Sequence, residues 1–288
     1  MPAKLVTFTE TSGVYKAAID NGPKFEVGRR VRFGRADPSS GVSNIRTPGA
    51  KYNAADHTAK HGFWAHFILP TCTAESNGAF NCINTYDRAF FTFTFLQYAA
   101  HVPNGDFVQY FRKLLGEPEA SEYFPDLFMH EGRIARDTPL GPVKLESDDS
   151  TRDLMIYLNP TIQDVESAEV INAAKLIHWS ETVARHREIQ VEVGIAHFQA
   201  AMQSYARRYS LTGRLDKVCL VVADIRHQGR GSSQDILAAL NTSGDDEKAY
   251  KNLLQIGQPV YKNRIDTIDK EVTKLVNAGI LGQKHWPF

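Results

Sequence analysis

Two carboxylic acids in the first third of the chain have the types and spacing of an acid–base pair. Glu75 and Asp87 lie twelve residues apart in the aromatic-rich stretch "TAESNGAFNCINTYDRAFFTFTFLQ" (residues 73–97). Cleavage of a glycosidic bond needs a protonated acid at the leaving oxygen and an anionic partner on the other side of the sugar ring. Apolar surroundings raise the pKa of one carboxyl group, while a better solvated one stays ionised. The alternative is a surface glutamate and an aspartate that caps the next helix.

Other catalytic chemistries lack the residue spacing that they need. The histidines closest to one another in the sequence are His57, His61, His66, His178 and His186. None of them forms the HExxH pattern of a helical zinc site, and Cys72 and Cys82 lack the CxxC spacing of a zinc cysteine pair. No G-x-S-x-G elbow is present, and "GRGSS" (residues 229–233) lacks the lysine of a P-loop. The sequence therefore predicts neither a metal nor a cofactor.

The composition is typical of a soluble globular chain. Of 288 residues, 42% are hydrophobic and 23% are charged, and 33 basic residues balance 33 acidic ones. This balance provides no overall field that would attract nucleic acid or an anionic membrane. No apolar run is long enough to span a membrane, and the N-terminus lacks the pattern of a secretory signal peptide. We therefore expect synthesis in the cytoplasm, no nucleic-acid partner and no membrane span.

The three cysteines are too few for a disulfide scaffold. Cys72 and Cys82 flank Glu75, so a small oxidised loop is one interpretation if the protein works outside the cytoplasm. A pair of buried thiols is the favoured interpretation.

The elements that position the two acids are predicted as follows. Short strand-like segments and turns fill an N-terminal extension, residues 1–60. A largely apolar helix over "DHTAKHGFWAHFILPTCTAES" ends near Glu75 and is interrupted at Pro70. A capped helix is expected over residues 104–116, and two short strands are expected over "FMHEGRIARDTPLGPVKLES".

A long buried helix is the clearest element of the second half. Its apolar face is formed by Val191, Ile195, Phe198, Met202, Tyr205 and Tyr209. Spacings of three and four residues define one helical face, and they predict a helix over about residues 183–208. The whole pattern predicts a mainly α, α+β protein with a small β element, in which residues 61–288 form one two-lobed domain.

The stretch around Glu75 resembles a known family. A helix ending in "AES", a polar loop and then "FTFTFLQYAAH" resemble the Glu-Ser…Gly-Leu-Met-Gln layout of lysozyme-like transglycosylases and muramidases. The resemblance implies that Glu75 is the catalytic acid and that Gln97 begins the next helix. The chain departs from this layout at Thr94-Phe95-Leu96, where Gly-Leu-Met is usual.

The segment "DRAFFT" (residues 87–92) is similar to an Asp-Gly-Arg-Gly-Tyr-Thr segment in chitosanases of the lysozyme superfamily. In that family the aspartate is the general base, and the threonine five residues on helps to hold the attacking water. The similarity implies these two roles for Asp87 and Thr92.

A second segment, "VVADIRHQGRG" (residues 221–231), is similar to the Asp-x-x-x-x-His-Gly turn that follows the long helix in the same chitosanases. It implies that Asp224 and His227 support the cleft, although Gln228 here separates the histidine from the glycine. The resemblance covers about residues 60–240 and implies a two-lobed lysozyme-like fold. On this interpretation the aromatic run is the wall of a sugar cleft. The side chains assigned to substrate binding are Tyr86, Arg88, Phe91, Gln97, Asp224 and His227.

The function predicted from these features is hydrolysis of β-1,4 links in an amino-sugar polymer, with inversion at the anomeric carbon. Inversion implies that the carboxyl groups of Glu75 and Asp87 lie about 6.5–9.5 Å apart. Peptidoglycan is the expected substrate, because chitosanases are generally exported and carry acidic clefts, and this chain shows neither a signal peptide nor an acidic excess. Chitosan is the alternative substrate, and a non-catalytic glycan-binding module is the alternative function.

Enzymes of this kind without a signal peptide are typical of phage lysis proteins and of toxins delivered by contact-dependent secretion. The resemblance therefore implies action on the cell wall after lysis or delivery outside the general secretory route. It also implies an immunity or delivery protein as a partner.

Overall fold

The structure is a computed structural model that describes residues 2–34, 38–45 and 49–288. Helices and antiparallel strands are both present, so the predicted α+β class is confirmed. None of the helices in the described residues is both long and apolar enough to span a membrane.

The chain divides into two compact units that differ from the predicted domains. Unit 1 comprises Met1–Lys51 and Ala79–Val193, and unit 2 comprises Tyr52–Gly78 and Gly194–Phe288. The first fifty residues are therefore part of unit 1 and not a separate extension. Sequence patterning does not reveal this division, because each unit is assembled from two distant parts of the chain.

One antiparallel sheet in unit 1 contains most of the strands. In chain order, which is also their order in the sheet, they are β1 (Val6–Thr11), β2 (Val14–Ile19), β3 (Phe25–Phe33), β4 (Ser39–Ser43), β5 (Ile83–Asn84), β6 (Thr92–Phe93) and β7 (Tyr98–Ala99). The β1–β2 turn at Ser12-Gly13 has two positive φ angles, 51° and 78°, as a two-residue hairpin turn requires. The short strands predicted within residues 1–60 are therefore part of a seven-stranded sheet that the sequence did not predict.

A second sheet in unit 1 has three strands, β8 (Leu127–His130), β9 (Arg133–Arg136) and β10 (Val143–Lys144). The sequence predicted two strands here. The β8–β9 hairpin turns at Glu131-Gly132, where both φ angles are positive, and the Pro/Gly segment that follows leads back to the third strand.

The helices in chain order are α1 (Ala54–His61), α2 (Phe63–Phe67), α3 (Leu69–Ser76), α4 (Asp106–Leu114), α5 (Ala120–Tyr123), α6 (Arg152–Leu158), α7 (Ser167–Thr182), α8 (Ala184–Tyr209), α9 (Asp216–Gln228), α10 (Ser233–Leu240), α11 (Asp246–Leu253) and α12 (Lys262–Asn277). Helix α4 confirms that a helix lies within residues 104–116, but it begins after Gly105 and has no side-chain cap. Helix α8 matches the long helix expected over residues 183–208 to within one residue at each end. Its predicted apolar face is buried except at Tyr205, which is half-buried.

The helix predicted before Glu75 is three short helices. Gly62 has a positive φ of 56° and separates α1 from α2. Pro70 lies in the first turn of α3, where its missing N–H costs no hydrogen bond. The expected interruption at proline is thus a helix start, and α3 contains only the last eight residues of the predicted segment.

The aromatic run forms the core of unit 1. Phe91, Phe93 and Phe95 are fully buried. Phe91 packs edge-on against Phe107, with ring centroids 6.0 Å apart, and Phe93 stacks near Tyr110 at 6.4 Å. This corrects the expectation that these rings are the wall of a sugar cleft, because a ring with no exposed surface cannot stack on a ligand.

A buried glutamate joins α7 to the large sheet within unit 1. Glu169 is fully buried, and its Oε1 accepts hydrogen bonds from the backbone N–H of Val42 (3.0 Å) and from the Thr85 hydroxyl. Its Oε2 accepts from the backbone N–H of Glu166 (3.2 Å), which completes a capping box at the start of α7. Burial raises the pKa of Glu169 to about 7, although these donors act in the opposite direction.

We expect Glu169 to make the protein less stable as the pH rises. Its folded pKa of about 7 lies above the ordinary value of 4.5, so the folded state retains a proton that the unfolded state loses between these two values. The free energy of unfolding should therefore fall through this window, by about 3 kcal/mol at most. Urea unfolding at about pH 5 and about pH 8 measures the change, and Glu169→Gln should remove most of it.

The control is Glu188→Gln, which removes a carboxyl group that is 49% exposed on α8. If the pH profile of Glu169→Gln ran parallel to that of the wild-type protein, Glu169 would not be the group responsible.

Candidate functional site

Glu75 is presented by the last turn of α3. The helix ends at Ser76 because Asn77 adopts a left-handed conformation with φ 56° and ψ 28°. Within unit 2, α3 packs against α12, and Arg264 of α12 donates from Nη1 to Glu75 Oε1 over 2.7 Å. A partly buried ion pair therefore holds one oxygen of the predicted acid.

The same guanidinium binds a second predicted residue. Arg264 donates from Nη2 to Asp224 Oδ1 over 2.6 Å, and its Nε lies 3.5 Å from Asp224 Oδ2. Arg230 donates from Nη1 to Asp224 Oδ2 over 2.5 Å. Arg264 thus links Glu75 to Asp224, and we call Glu75, Asp224, His227, Arg230 and Arg264 the Glu75 cluster.

Burial in the Glu75 cluster decreases toward Glu75. The side chains of Asp224 and Arg230 are 0% exposed, that of Arg264 is 9% exposed and that of Glu75 is 15% exposed. Burial lowers the pKa of Arg230, and the charge of Asp224 opposes this. Burial also acts to lower the pKa of Arg264, but the charges of Asp224 and Glu75 outweigh it and leave that pKa raised. The two carboxylates thus favour a charged Arg264.

His227 completes the cluster as a neutral ring. Its Nε2 lies 3.4 Å from Glu75 Oε1, and its imidazole stacks on Phe198 of α8 with ring centroids 5.5 Å apart. Burial lowers the pKa of His227, and the neighbouring His197 and Arg264 act in the same direction against the charge of Glu75. At neutral pH the imidazole is therefore uncharged.

The placement of Asp224 and His227 corrects one part of the sequence interpretation. Both lie on helix α9, three residues apart, and not in a turn. The turn begins at Gly229, which ends the helix with a φ of 74°. Because residues three apart share a helical face, the helix can direct both side chains toward Glu75.

The two oxygens of Glu75 have different surroundings. Oε1 receives the Arg264 hydrogen bond and lies near His227. No donor in the described part of the chain is hydrogen-bonded to Oε2. Since the side chain retains some exposure, Oε2 is the oxygen that a ligand can reach.

Asp87 belongs to unit 1 and lies in the loop after β5. The Asn84 side chain donates to Asp87 Oδ2 over 3.2 Å, and the backbone N–H of Ala89 donates to Oδ1 over 2.8 Å. Asn84 is paired with Thr92 across β5 and β6. The loop therefore leaves the strand pair that contains Thr92, whose side chain is buried.

Two buried side chains that the sequence analysis missed hold this loop. Asn159 donates from Nδ2 to the carbonyl oxygens of Thr85 (3.1 Å) and Phe90 (2.9 Å), one on each side of Asp87. Glu169 bonds the Thr85 hydroxyl. A lone asparagine and a glutamate in a helix N-terminus carry no sequence signal for such a role.

The predicted substrate-binding residues of unit 1 are found in different environments. Tyr86 is half-buried beside Phe33 (centroids 5.7 Å apart), and Arg88 is exposed. Phe91 is fully buried, so its ring is not available to a substrate. Gln97 does not begin a helix: it precedes β7 with a φ of 56°, and its side chain donates to the backbone of Thr94 over 3.0 Å.

Arg264 and Arg230 are the residues of the Glu75 cluster that sequence reasoning missed. Arg264 lies in "NRIDTIDKEV", an amphipathic segment where an arginine is usually a solvated surface residue. Glu75 lies 189 residues before Arg264 in the sequence, and only the fold brings the two side chains together.

Two further features bear on the chemistry. All three cysteines, each within the described ranges, are buried thiols outside any disulfide, which confirms the favoured interpretation of Cys72 and Cys82. In residues 2–34, 38–45 and 49–288, no three His, Cys, Asp or Glu side chains are grouped so that they could hold a metal ion.

Comparison of the chain with protein-family models, with curated proteins and with solved structures gives no match.

Asp224→Asn should destabilise the protein strongly. Asp224 is the only carboxylate bonded to Arg230 in the described residues, and removing one partner of a buried ion pair typically costs about 3–5 kcal/mol. The control is Asp266→Asn on α12, whose partner Lys262 is exposed and whose loss should cost less than about 1 kcal/mol. Urea unfolding measures both variants. A wild-type free energy of unfolding for Asp224→Asn would show that Asp224 does not support the cluster.

Proposed function

We propose that this protein is a glycoside hydrolase that cleaves β-1,4 links in an amino-sugar polymer, with Glu75 as the general acid. The observation that carries the proposal is the Glu75 cluster. Three residues assigned from sequence alone, Glu75, Asp224 and His227, meet in one network although they come from two distant segments. Within that network, Glu75 Oε2 is left for a ligand.

The two carboxyl oxygens of Glu75 would have different roles, because their surroundings differ. Arg264 holds Oε1, which fixes the carboxyl plane and the rotamer. In the acid role, Oε2 would take up the proton that passes to the leaving oxygen, while Oε1 keeps its hydrogen bond from Arg264. Asp224, which also accepts from Arg230, holds Arg264 from the buried side, so the orientation of the acid does not depend on a flexible surface side chain.

Asp87 is the proposed base and Thr92 its helper. The Asn84 side chain holds one oxygen of Asp87, and the Ala89 backbone holds the other. A carboxylate oriented in this way can accept a proton from water, and inversion at the anomeric carbon follows if that water attacks directly. The two-lobed lysozyme-like form of the fold is part of the same proposal.

Peptidoglycan is the proposed substrate and chitosan the second. The chain carries 33 basic and 33 acidic residues, so it lacks the acidic excess that favours a cationic polymer such as chitosan. Delivery to the cell wall by a partner protein, such as a delivery or immunity protein, belongs to this proposal. The alternative is a module that binds glycans without cleaving them. Evidence for such a module would exclude the proposed enzymatic activity.

Glu75→Gln should abolish glycan cleavage while the protein remains folded. The side chains are nearly isosteric, but the amide cannot donate the proton, and a general-acid step contributes about 10²–10⁴-fold. Loss of turbidity in a cell-wall suspension and release of reducing sugar from chitosan measure the activity on the two substrates.

The matched control is Glu271→Gln on α12. Glu271 is in the same unit, its side chain is 14% exposed against 15% for Glu75, and it is also ion-paired, to Lys274. Cleavage by Glu75→Gln at a rate within about twofold of the control would exclude Glu75 as the acid. Glycan binding without cleavage of either substrate by the wild-type protein would leave only the binding module.

The first product should have the inverted configuration. A β-linked substrate should release the α-anomer, because Asp87 is proposed to activate water and not to form a glycosyl–enzyme intermediate. NMR of a soluble oligosaccharide, recorded before mutarotation, gives the anomer directly. Initial release of the β-anomer would exclude the base role of Asp87, and a 1,6-anhydro product would identify a lytic transglycosylase that needs no base.

A further inference from the structure

A cavity of about 510 Å³ in unit 1 takes no part in the proposed reaction. It lies between α6, the first half of α7 and strand β9, and its apolar wall includes Leu145, Ile156 and Ile171. The volume lies in the range of small-molecule binding sites.

One cation on the wall of this cavity lacks a counter-ion. Lys175 lines the cavity, and no hydrogen bond or ion pair joins its ammonium group to any described residue. Its Nζ lies 5.0 Å from the centroid of the buried Phe124 ring, a cation–π contact that positions the end of the side chain. The side chain is half-buried, and Nζ keeps contact with solvent. A ligand in the cavity can therefore reach the ammonium group.

The acids at the cavity do not neutralise Lys175. Arg136 donates from Nε to Asp126 Oδ2 over 3.0 Å, and the Tyr157 hydroxyl donates to Asp126 Oδ1 over 2.7 Å. Both oxygens of Asp126 therefore have other partners. Burial lowers the pKa of Lys175, and the charge of Asp126 acts in the opposite direction. The second acid, Asp153, is exposed to solvent at the start of α6, where its charge is screened. One further negative charge would therefore stabilise the ammonium group.

Arg136 offers further donors to the same ligand. Only its Nε is hydrogen-bonded within the described residues, and its guanidinium lies over the Tyr157 ring with Cζ 5.4 Å from the centroid. The side chain is 53% exposed, so both Nη groups are open to a ligand. A planar guanidinium matches the two oxygens of a carboxylate.

Asn172 is the third polar side chain that the cavity offers. Its Nδ2 donates to the carbonyl oxygens of Tyr157 (2.9 Å) and Leu158 (3.2 Å). Its Oδ1 accepts no hydrogen bond from the described residues and keeps contact with solvent. An amide carbonyl needs a donor, and a ligand with an N–H group close to its carboxylate would supply one.

The cavity adjoins the segment that holds the proposed base. Tyr157 lines the cavity, and Asn159, two residues further on, donates to the backbone on both sides of Asp87. A ligand held here would thus contact the segment that fixes the loop of Asp87.

We propose that this cavity binds a peptide carboxylate of the polymer, with the carboxylate on Lys175 and Arg136. A peptide N–H would donate to Asn172 Oδ1, and a small apolar side chain would lie against Ile156. The choice of polymer rests on the proposed function, whereas the need for one negative charge beside an apolar group rests on the cavity alone. Peptidoglycan carries such carboxylates on its short peptides and chitosan carries none, so the site would select peptidoglycan.

The test is binding of N-acetyl-D-alanyl-D-alanine to the full chain, monitored by NMR. This dipeptide contains no glycosidic bond, so its binding does not depend on catalysis. Saturable shifts are expected for the Asn172 side-chain amide and the end of the Lys175 side chain, with a Kd on the order of millimolar. The uncharged C-terminal amide of the dipeptide should bind at least about tenfold more weakly. Inorganic phosphate, which has no apolar part, should bind at least about fivefold more weakly.

Lys175→Met should weaken binding of the dipeptide at least about tenfold, because it keeps the unbranched stem and removes the charge. Thermal stability should not fall, since the ammonium group has no ion-pair partner in the described residues. The control is Lys144→Met on β10, a lysine of the same unit that is 45% exposed and ion-paired to Glu131. This control should bind the dipeptide as the wild-type protein does.

A second variant tests the apolar wall. Ile156→Ala should weaken binding at least about threefold through lost apolar contact, and the fold should tolerate it because Ile156 is 40% exposed. Leu140→Ala, at a fully exposed position of the same unit, should leave binding unchanged.

The outcomes separate this site from the proposed enzyme. Absence of saturable shifts at Asn172 and Lys175, or wild-type binding by Lys175→Met, would overturn the site even if the protein cleaves peptidoglycan. Equally tight binding of the dipeptide amide or of phosphate would overturn it as well. Dipeptide binding at this cavity by a protein that cleaves no glycan would support the site and exclude the proposed enzymatic activity.

Discussion

The ion pair between Arg264 and two carboxylates is the interaction on which the candidate chemistry depends. A buried guanidinium is costly unless anions surround it, and here Glu75 and Asp224 supply them. The same contacts fix the orientation of Glu75 and join α3, α9 and α12 of unit 2 through their side chains. Stability and the geometry of the acid therefore depend on the same cluster, because loss of Asp224 would leave Arg230 without a carboxylate partner in the described residues.

The predicted base in unit 1, Asp87, is held by a different kind of contact. Asp87 has no arginine partner in the described residues and is held by neutral donors, an amide side chain and a backbone N–H. Asn159 and Glu169 fix the backbone and the hydroxyl of the same loop. A loop whose buried carbonyls are satisfied in this way keeps its shape, so Asp87 can remain partly solvated without becoming mobile.

The aromatic run between the two acids shows how one pattern can support two interpretations. Rings at alternate positions, Phe91, Phe93 and Phe95, suit both the wall of a sugar cleft and the interior of a folded unit. Burial decides in favour of the interior. The run therefore fills the core beneath β6, the strand that contains Thr92, while its neighbour Arg88 is exposed.

The sequence by itself determined the local features: the α+β class, the extent of α8 and the presence of α4. Periodicity and capping are properties of adjacent residues, so they can be read without the fold. The seven-stranded sheet, the division into two units and the partnership of Arg264 with Glu75 were decided only by tertiary structure. Each depends on which distant segments pack together, and no spacing along the chain encodes that choice.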